Sequence, residues 1–177
     1  MDKRVETPPA QAALSHADIR SILIGTMLAM FLAALDQTIV ATAMPTIGRE
    51  LGDVTHLPWV VTSYLLASTA VTPLYGKLAD IHGRRVTLLG GIVIFILGSV
   101  ACALSSSIWL LVLSRFVQGL GGGGLIALAQ TIIGDMVPPK ERGKYQVYIA
   151  SVFFSSSLLG PVLGGVTSEA LHWSVIF

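Results

Sequence analysis

Residues 21–43 read SILIGTMLAMFLAALDQTIVATA, and the fold turns on how that stretch can be satisfied. About 20 apolar residues at 1.5 Å per residue cover the roughly 30 Å hydrocarbon core of a bilayer. In lipid every backbone polar group must bond within the chain, so such a segment spans as a helix. The same pattern recurs over about 59–79, 86–104, 108–134 and 145–168. Composition agrees: 53% of the 177 residues are hydrophobic, 12% are charged, and the mean hydropathy is +0.76. A soluble domain of this length has too little interior to hide that much apolar surface. The sequence therefore predicts an all-α membrane protein of five transmembrane helices, with Pro45 stopping the first.

The segment 1–20 is polar, carries Pro8-Pro9, and is expected to be a disordered tail up to a capping box from Ser15 to Asp18. The first apolar run is too long for a signal peptide, and Asp36-Gln37 stands where small residues would mark cleavage. Basic residues set the expected orientation. Lys3, Arg4, Arg20, Lys77, Arg84, Arg85, Lys140, Arg142 and Lys144 fall on one side and only Arg49 on the other. By the positive-inside rule, the N-terminus is cytoplasmic in a multi-pass protein of the plasma or inner membrane. A net charge of +1 gives no footprint for nucleic acid. His16, His56, His82 and His172 are scattered, and none is spaced with Cys102 or a carboxylate as a metal site requires. No enzyme, metal or cofactor is expected.

Two charges interrupt the spans. Asp36 lies in the first and Arg115 in the fourth, each about 10 Å from the outer end of its helix. Each costs roughly 2.5–3.5 kcal/mol to insert at mid-bilayer, so each needs a partner or a watery cavity. One reading is an ion pair that locks two helices. The other is a carboxylate that exchanges protons, because burial and a neighbouring guanidinium pull its proton affinity in opposite senses. Small residues crowd the later spans. Gly119 and Gly121 to Gly124 cluster in the fourth; Ser156, Gly160 and Gly164 recur every four residues in the fifth, with Pro161 between them. Lacking the hydrophobic effect, helices in lipid associate through such close-packing faces.

The segment Gly76-Lys-Leu-Ala-Asp80-Ile-His-Gly83-Arg84-Arg85 resembles the signature between the second and third helices of the major facilitator superfamily, with Ile81 at a position that is usually basic. Arg115-Phe-Val-Gln118-Gly119 resembles the family's fourth-helix motif, and Gly160-Pro161-Val-Leu-Gly164-Gly165 its fifth-helix antiporter motif. Leu35-Asp36-Gln37-Thr38-Ile39-Val40, followed by Ala43-Met44-Pro45, is similar to the first-helix motif of the fourteen-helix drug:proton antiporter branch. The resemblance implies most of the N-terminal half of the family fold, with 173–177 leading into a missing sixth helix. It also implies proton-coupled efflux of amphipathic molecules, a gating loop at Gly76, Asp80, Gly83, Arg84 and Arg85, and coupling through Asp36 and Arg115. Gly76 and Gly83 would serve the tight turn between helices two and three.

Small-molecule substrate and protons are thus the expected partners, beside the bilayer and the C-terminal half of the same transporter. That half would supply the partners of Asp80 and of the Gly160–Gly164 face, so these 177 residues alone are expected to move no substrate. Gln37 and Tyr64 are candidates to line the cavity, although Asp36 competes with its neighbour for the inward direction and Tyr64 could equally serve packing. The alternative is a small membrane assembly protein that binds partner helices through its glycine faces. A channel is less well supported, since no ring of filter groups is evident.

Overall fold

A computed structural model describes residues 16–170 and 172–177. The expectations for residues 1–15, including most of the tail, Lys3, Arg4 and the Ser15 cap, lie outside the described residues, while residues 16–20 of the expected tail belong to the first helix. The chain forms α1 (His16–Leu51), α2 (Leu57–His82), α3 (Arg84–Ala103), α4 (Ile108–Met136) and α5 (Arg142–Ala170), then a short 3-10 turn at Trp173–Ile176. All five α-helices are long and apolar enough to cross a membrane.

Pro45 does not end the first helix; α1 passes through it to Leu51. A proline forfeits one backbone hydrogen bond. Membrane helices tolerate that loss because side chains and neighbouring helices re-satisfy the backbone. Packing also holds this stretch: Val40, Ala43 and Ile47 are fully buried in a cluster with Leu57, Leu111 and Trp173. Pro73 and Pro161 likewise lie inside α2 and α5.

The helix ends carry their own devices. Ser107 caps α4 by accepting from the Leu110 amide at 3.3 Å. At the other end, Arg142 donates to the carbonyls of Gly134 and Val137, which have no intrahelical partner. Gly83 makes the turn into α3 at φ +85°, a conformation side chains resist. Gly76 belongs to α2 rather than to the turn, since the helix continues to His82. In the loop between α1 and α2, the His56 ring lies 2.8 Å from Asp53 and holds that carboxyl below its ordinary range.

Two helix pairs make the bundle. α4 runs along both α2 and α3, while α5 lies against α1, and α1 meets α4 between them. Close approach of α4 depends on its glycines. A Cβ at Gly119 or Gly123 would collide with the α2 backbone at Tyr64 or Ser68, and one at Gly121 with the α3 backbone at Phe95. Outward, Val86, Leu89, Val93, Ile96, Leu97 and Val100 of α3 form an exposed apolar stripe at helical spacing, suited to lipid.

Candidate functional site

Where α1, α3 and α4 meet, the interior holds a closed polar network. Asp36 and Arg115 are 79 residues apart in sequence, and Arg115 Nη1 donates to Asp36 Oδ2 at 2.6 Å. The same nitrogen donates to Gln118 Oε1 at 2.6 Å. Gln118 Nε2 donates to Asp36 Oδ1 at 2.9 Å and to Ser99 Oγ on α3 at 2.8 Å. Asp36 is 8% exposed, Arg115 1% and Gln118 0%. On its flank, the Arg115 guanidinium lies 4.3 Å from the Tyr64 ring centroid on α2 and 5.8 Å from that of Phe177.

The chemistry of this cluster follows from its donors. Both carboxylate oxygens of Asp36 face N–H groups. Oδ2 accepts from Arg115 and Oδ1 from Gln118, so both α4 partners hold the same carboxyl group. A buried ion pair adds little net stability against a well-packed apolar substitute, because desolvation cancels most of the attraction.

Neighbouring residues on α1 divide two sides of the bundle. Asp36 opens toward an apolar recess of about 360 Å³ between α1 and α3, where Ser99 is the other polar lining group. Gln37 instead lines a recess of about 270 Å³ bounded by α2 and α4, together with Tyr64, Ser68, Thr69, Thr72 and Gln130. Tyr64 does both things the sequence left open. It lines this recess, yet it is 1% exposed and packs against Gly119 and Gly122 of α4.

The Gly160–Gly164 face corrects an expectation. Its partner is present within the chain: a Cβ at Gly160 would strike Thr38 Oγ1, and one at Gly164 would strike Thr42 Oγ1, both on α1. Thr38 Oγ1 also donates to the Ser156 carbonyl at 3.0 Å, so the third member of the small-residue series joins the same seam. The glycine faces of α4 and α5 are thus filled by this chain's own helices, which removes the main support for a protein that captures partner helices through them. Gly165, beside Pro161, has nothing within 4 Å of an added Cβ.

The segment 76–85 is spread along the end of α2 and the start of α3. Asp80 and Arg85 are exposed, and Arg84 forms an ion pair with Asp135 at the end of α4. Sequence reasoning missed that pair, as it missed Ser99 and the joining role of Gln118. The signal for Gln118 was its place one helical turn after Arg115.

A family pattern described as Major Facilitator Superfamily matches residues 26–177. The chain is 40% identical over 162 residues to Multidrug resistance protein 3 of Bacillus subtilis (strain 168), covering 92% of this chain and 32% of that protein. It is 44% identical over 155 residues to Efflux pump dotC of Dothistroma septosporum, covering 88% and 26%. It is 39% identical over 176 residues to MFS-type efflux pump LUC4 of Fusarium sp, covering 99% and 31%. The chain thus spans about a third or less of the length of these relatives. A match across nearly all of a five-helix membrane fold makes the assignment: this polypeptide is a multi-pass membrane protein that belongs to the Major Facilitator Superfamily.

Proposed function

We propose that this chain contributes helices one to five of a transporter that exports amphipathic small molecules in exchange for protons. The observation that carries the reading is the buried network of Asp36, Arg115 and Gln118 across α1 and α4. Asp36 is the proton carrier. As the anion it ties α1 to α4, and when loaded it lets go, so protonation biases the relation between two helix pairs. Arg115 is the fixed counter-charge, held by Gln118 and by the Tyr64 ring whether or not Asp36 is paired. Two-state packing of this kind is what alternating access needs.

The recess lined by Gln37, Tyr64, Thr69, Thr72 and Gln130 is this chain's share of the substrate path. Its lining has hydroxyl and amide groups and no charged side chain, which suits amphipathic molecules held through apolar contact and a few hydrogen bonds. Gly76, Asp80, Gly83, Arg84 and Arg85 form the gating loop at the cytoplasmic side, and the basic-residue asymmetry supports a cytoplasmic N-terminus in the plasma or inner membrane. The motif Gly160, Pro161, Gly164 and Gly165 is the antiporter element on α5, with Gly160 and Gly164 set against α1. The relatives named above, a multidrug resistance protein and two efflux pumps, are about three times longer, which supports a cavity completed by further helices and a 177-residue chain that moves no substrate alone.

The test is transport by the full-length protein in vesicles under an imposed pH gradient, across a panel of cationic dyes and organic acids. Movement of at least one compound that stops when the gradient is collapsed is the expected result. Movement indifferent to the gradient would overturn proton coupling.

A further inference from the structure

We infer that Ser99 of α3 is a positioning residue for the proton site, acting by fixing which end of the Gln118 amide Asp36 meets. The inference rests on the reading of Asp36 as the proton carrier. A glutamine amide has a donor end and an acceptor end of nearly equal size, and only its partners decide which way it faces. The donor end of Gln118 is shared between Asp36 Oδ1 at 2.9 Å and Ser99 Oγ at 2.8 Å. The Ser99 hydroxyl can only accept there, because its own hydrogen is given to the Phe95 carbonyl at 3.0 Å, one turn back on α3.

The acceptor end, Gln118 Oε1, takes the Arg115 hydrogen bond at 2.6 Å, with Cys102 Sγ a further 3.6 Å contact from α3. While Asp36 is an anion, four partners agree on one orientation. Once Asp36 is protonated and leaves, the donor end keeps only Ser99. The serine thus works with Arg115, which keeps hold of Oε1, to preserve a waiting N–H for the returning carboxylate. Gly98 lets this happen, since a Cβ there would collide with the Gln118 backbone and push α3 away from α4.

The consequence is a preference for the ionised carboxyl that originates on a helix Asp36 does not touch through any of its hydrogen bonds described above. The experiment is an infrared pH titration of the full-length protein in lipid, reading the protonated-carboxyl band that disappears in Asp36→Asn. In Ser99→Ala the amide is less firmly held, and the titration midpoint should move up by about half a unit, a threefold change in proton affinity. Ser99→Cys, of nearly the same shape but with a poor acceptor, should move in the same direction. Ser99→Thr, which keeps the oxygen, should titrate with the wild type.

Midpoints for the alanine and cysteine variants that coincide with wild type would overturn the role of Ser99, as would a threonine variant displaced as far as alanine. Failure of the underlying reading looks different. In that case no band distinguishing wild type from Asp36→Asn titrates at all.

Discussion

Removing either member of the buried pair should be costly, but the two losses should respond to pH in different ways. Asp36→Leu strands a guanidinium that is 1% exposed and cannot shed its proton. Breaking a buried pair from one side costs about 3–5 kcal/mol. Gln118 Oε1 at 2.6 Å and the Tyr64 ring at 4.3 Å remain as partial compensation, so the lower end, about 3 kcal/mol, is expected. Arg115→Met leaves a carboxyl that can escape by taking up a proton. Holding an ordinary aspartate neutral costs about 1.36 kcal/mol per pH unit above about 3.9, which is about 4 kcal/mol at about pH 7 and about 1.5 at about pH 5.

The sign follows from linkage. The folded variant binds a proton that the unfolded chain does not, so its stability rises as pH falls. The Asp36→Leu penalty should stay flat, because nothing left in the cluster titrates in that range. Equilibrium unfolding in mixed micelles, followed by emission of the buried Trp173, measures both. Parallel pH profiles for the two variants, or an Arg115→Met penalty that grows on acidification, would refute the reasoning. The double variant should cost less than the sum of the singles.

The remaining expectations concern packing and surface charge. Gly160→Val and Gly164→Val should each destabilise the α1–α5 seam by about 1–3 kcal/mol through overpacking, and Thr38→Ala should recover part of the Gly160 loss in the same unfolding assay. Arg84→Ala should change stability by less than about 1 kcal/mol and lose even that in high salt, because its pair with Asp135 is open to solvent. In the α1–α2 loop, the lowered Asp53 value gives a contribution present above the ordinary aspartate range near 3.8 and lost as pH falls through the folded value. Since the His56 ring also lies 4.9 Å from Trp109, His56→Ala should abolish an acid-dependent change in Trp109 emission.

Much of this architecture was legible because lipid narrows the choices. Apolar runs could only be helices, and two isolated charges in them had to be answered. Counting residues from the helix ends put Asp36 and Arg115 at similar depth, and the structure joins them. Gln118 and Ser99 were harder to see. Gln118 stood in the fourth-helix motif, but its links to Asp36 and Ser99 cross to other helices, and Ser99 has no pattern that singles it out.

The Gly160–Gly164 face was assigned to absent helices, although Thr38 and Thr42 repeat the same four-residue spacing on α1. Matched spacing on two helices was the available signal. Pro45 misled for a different reason, because its helix-breaking force is calibrated in water and weaker in a membrane. Arg84 and Asp135 lie 51 positions apart on helices whose ends meet only after folding.

The central claim is that the Asp36 carboxyl exchanges the proton that drives export. The most direct measurement is proton counterflow during dye efflux, recorded with the full-length protein in vesicles carrying a trapped pH indicator. Wild type should move protons against the dye, and Asp36→Asn, inserted to the same level, should move neither. Undiminished counterflow in Asp36→Asn would contradict the account.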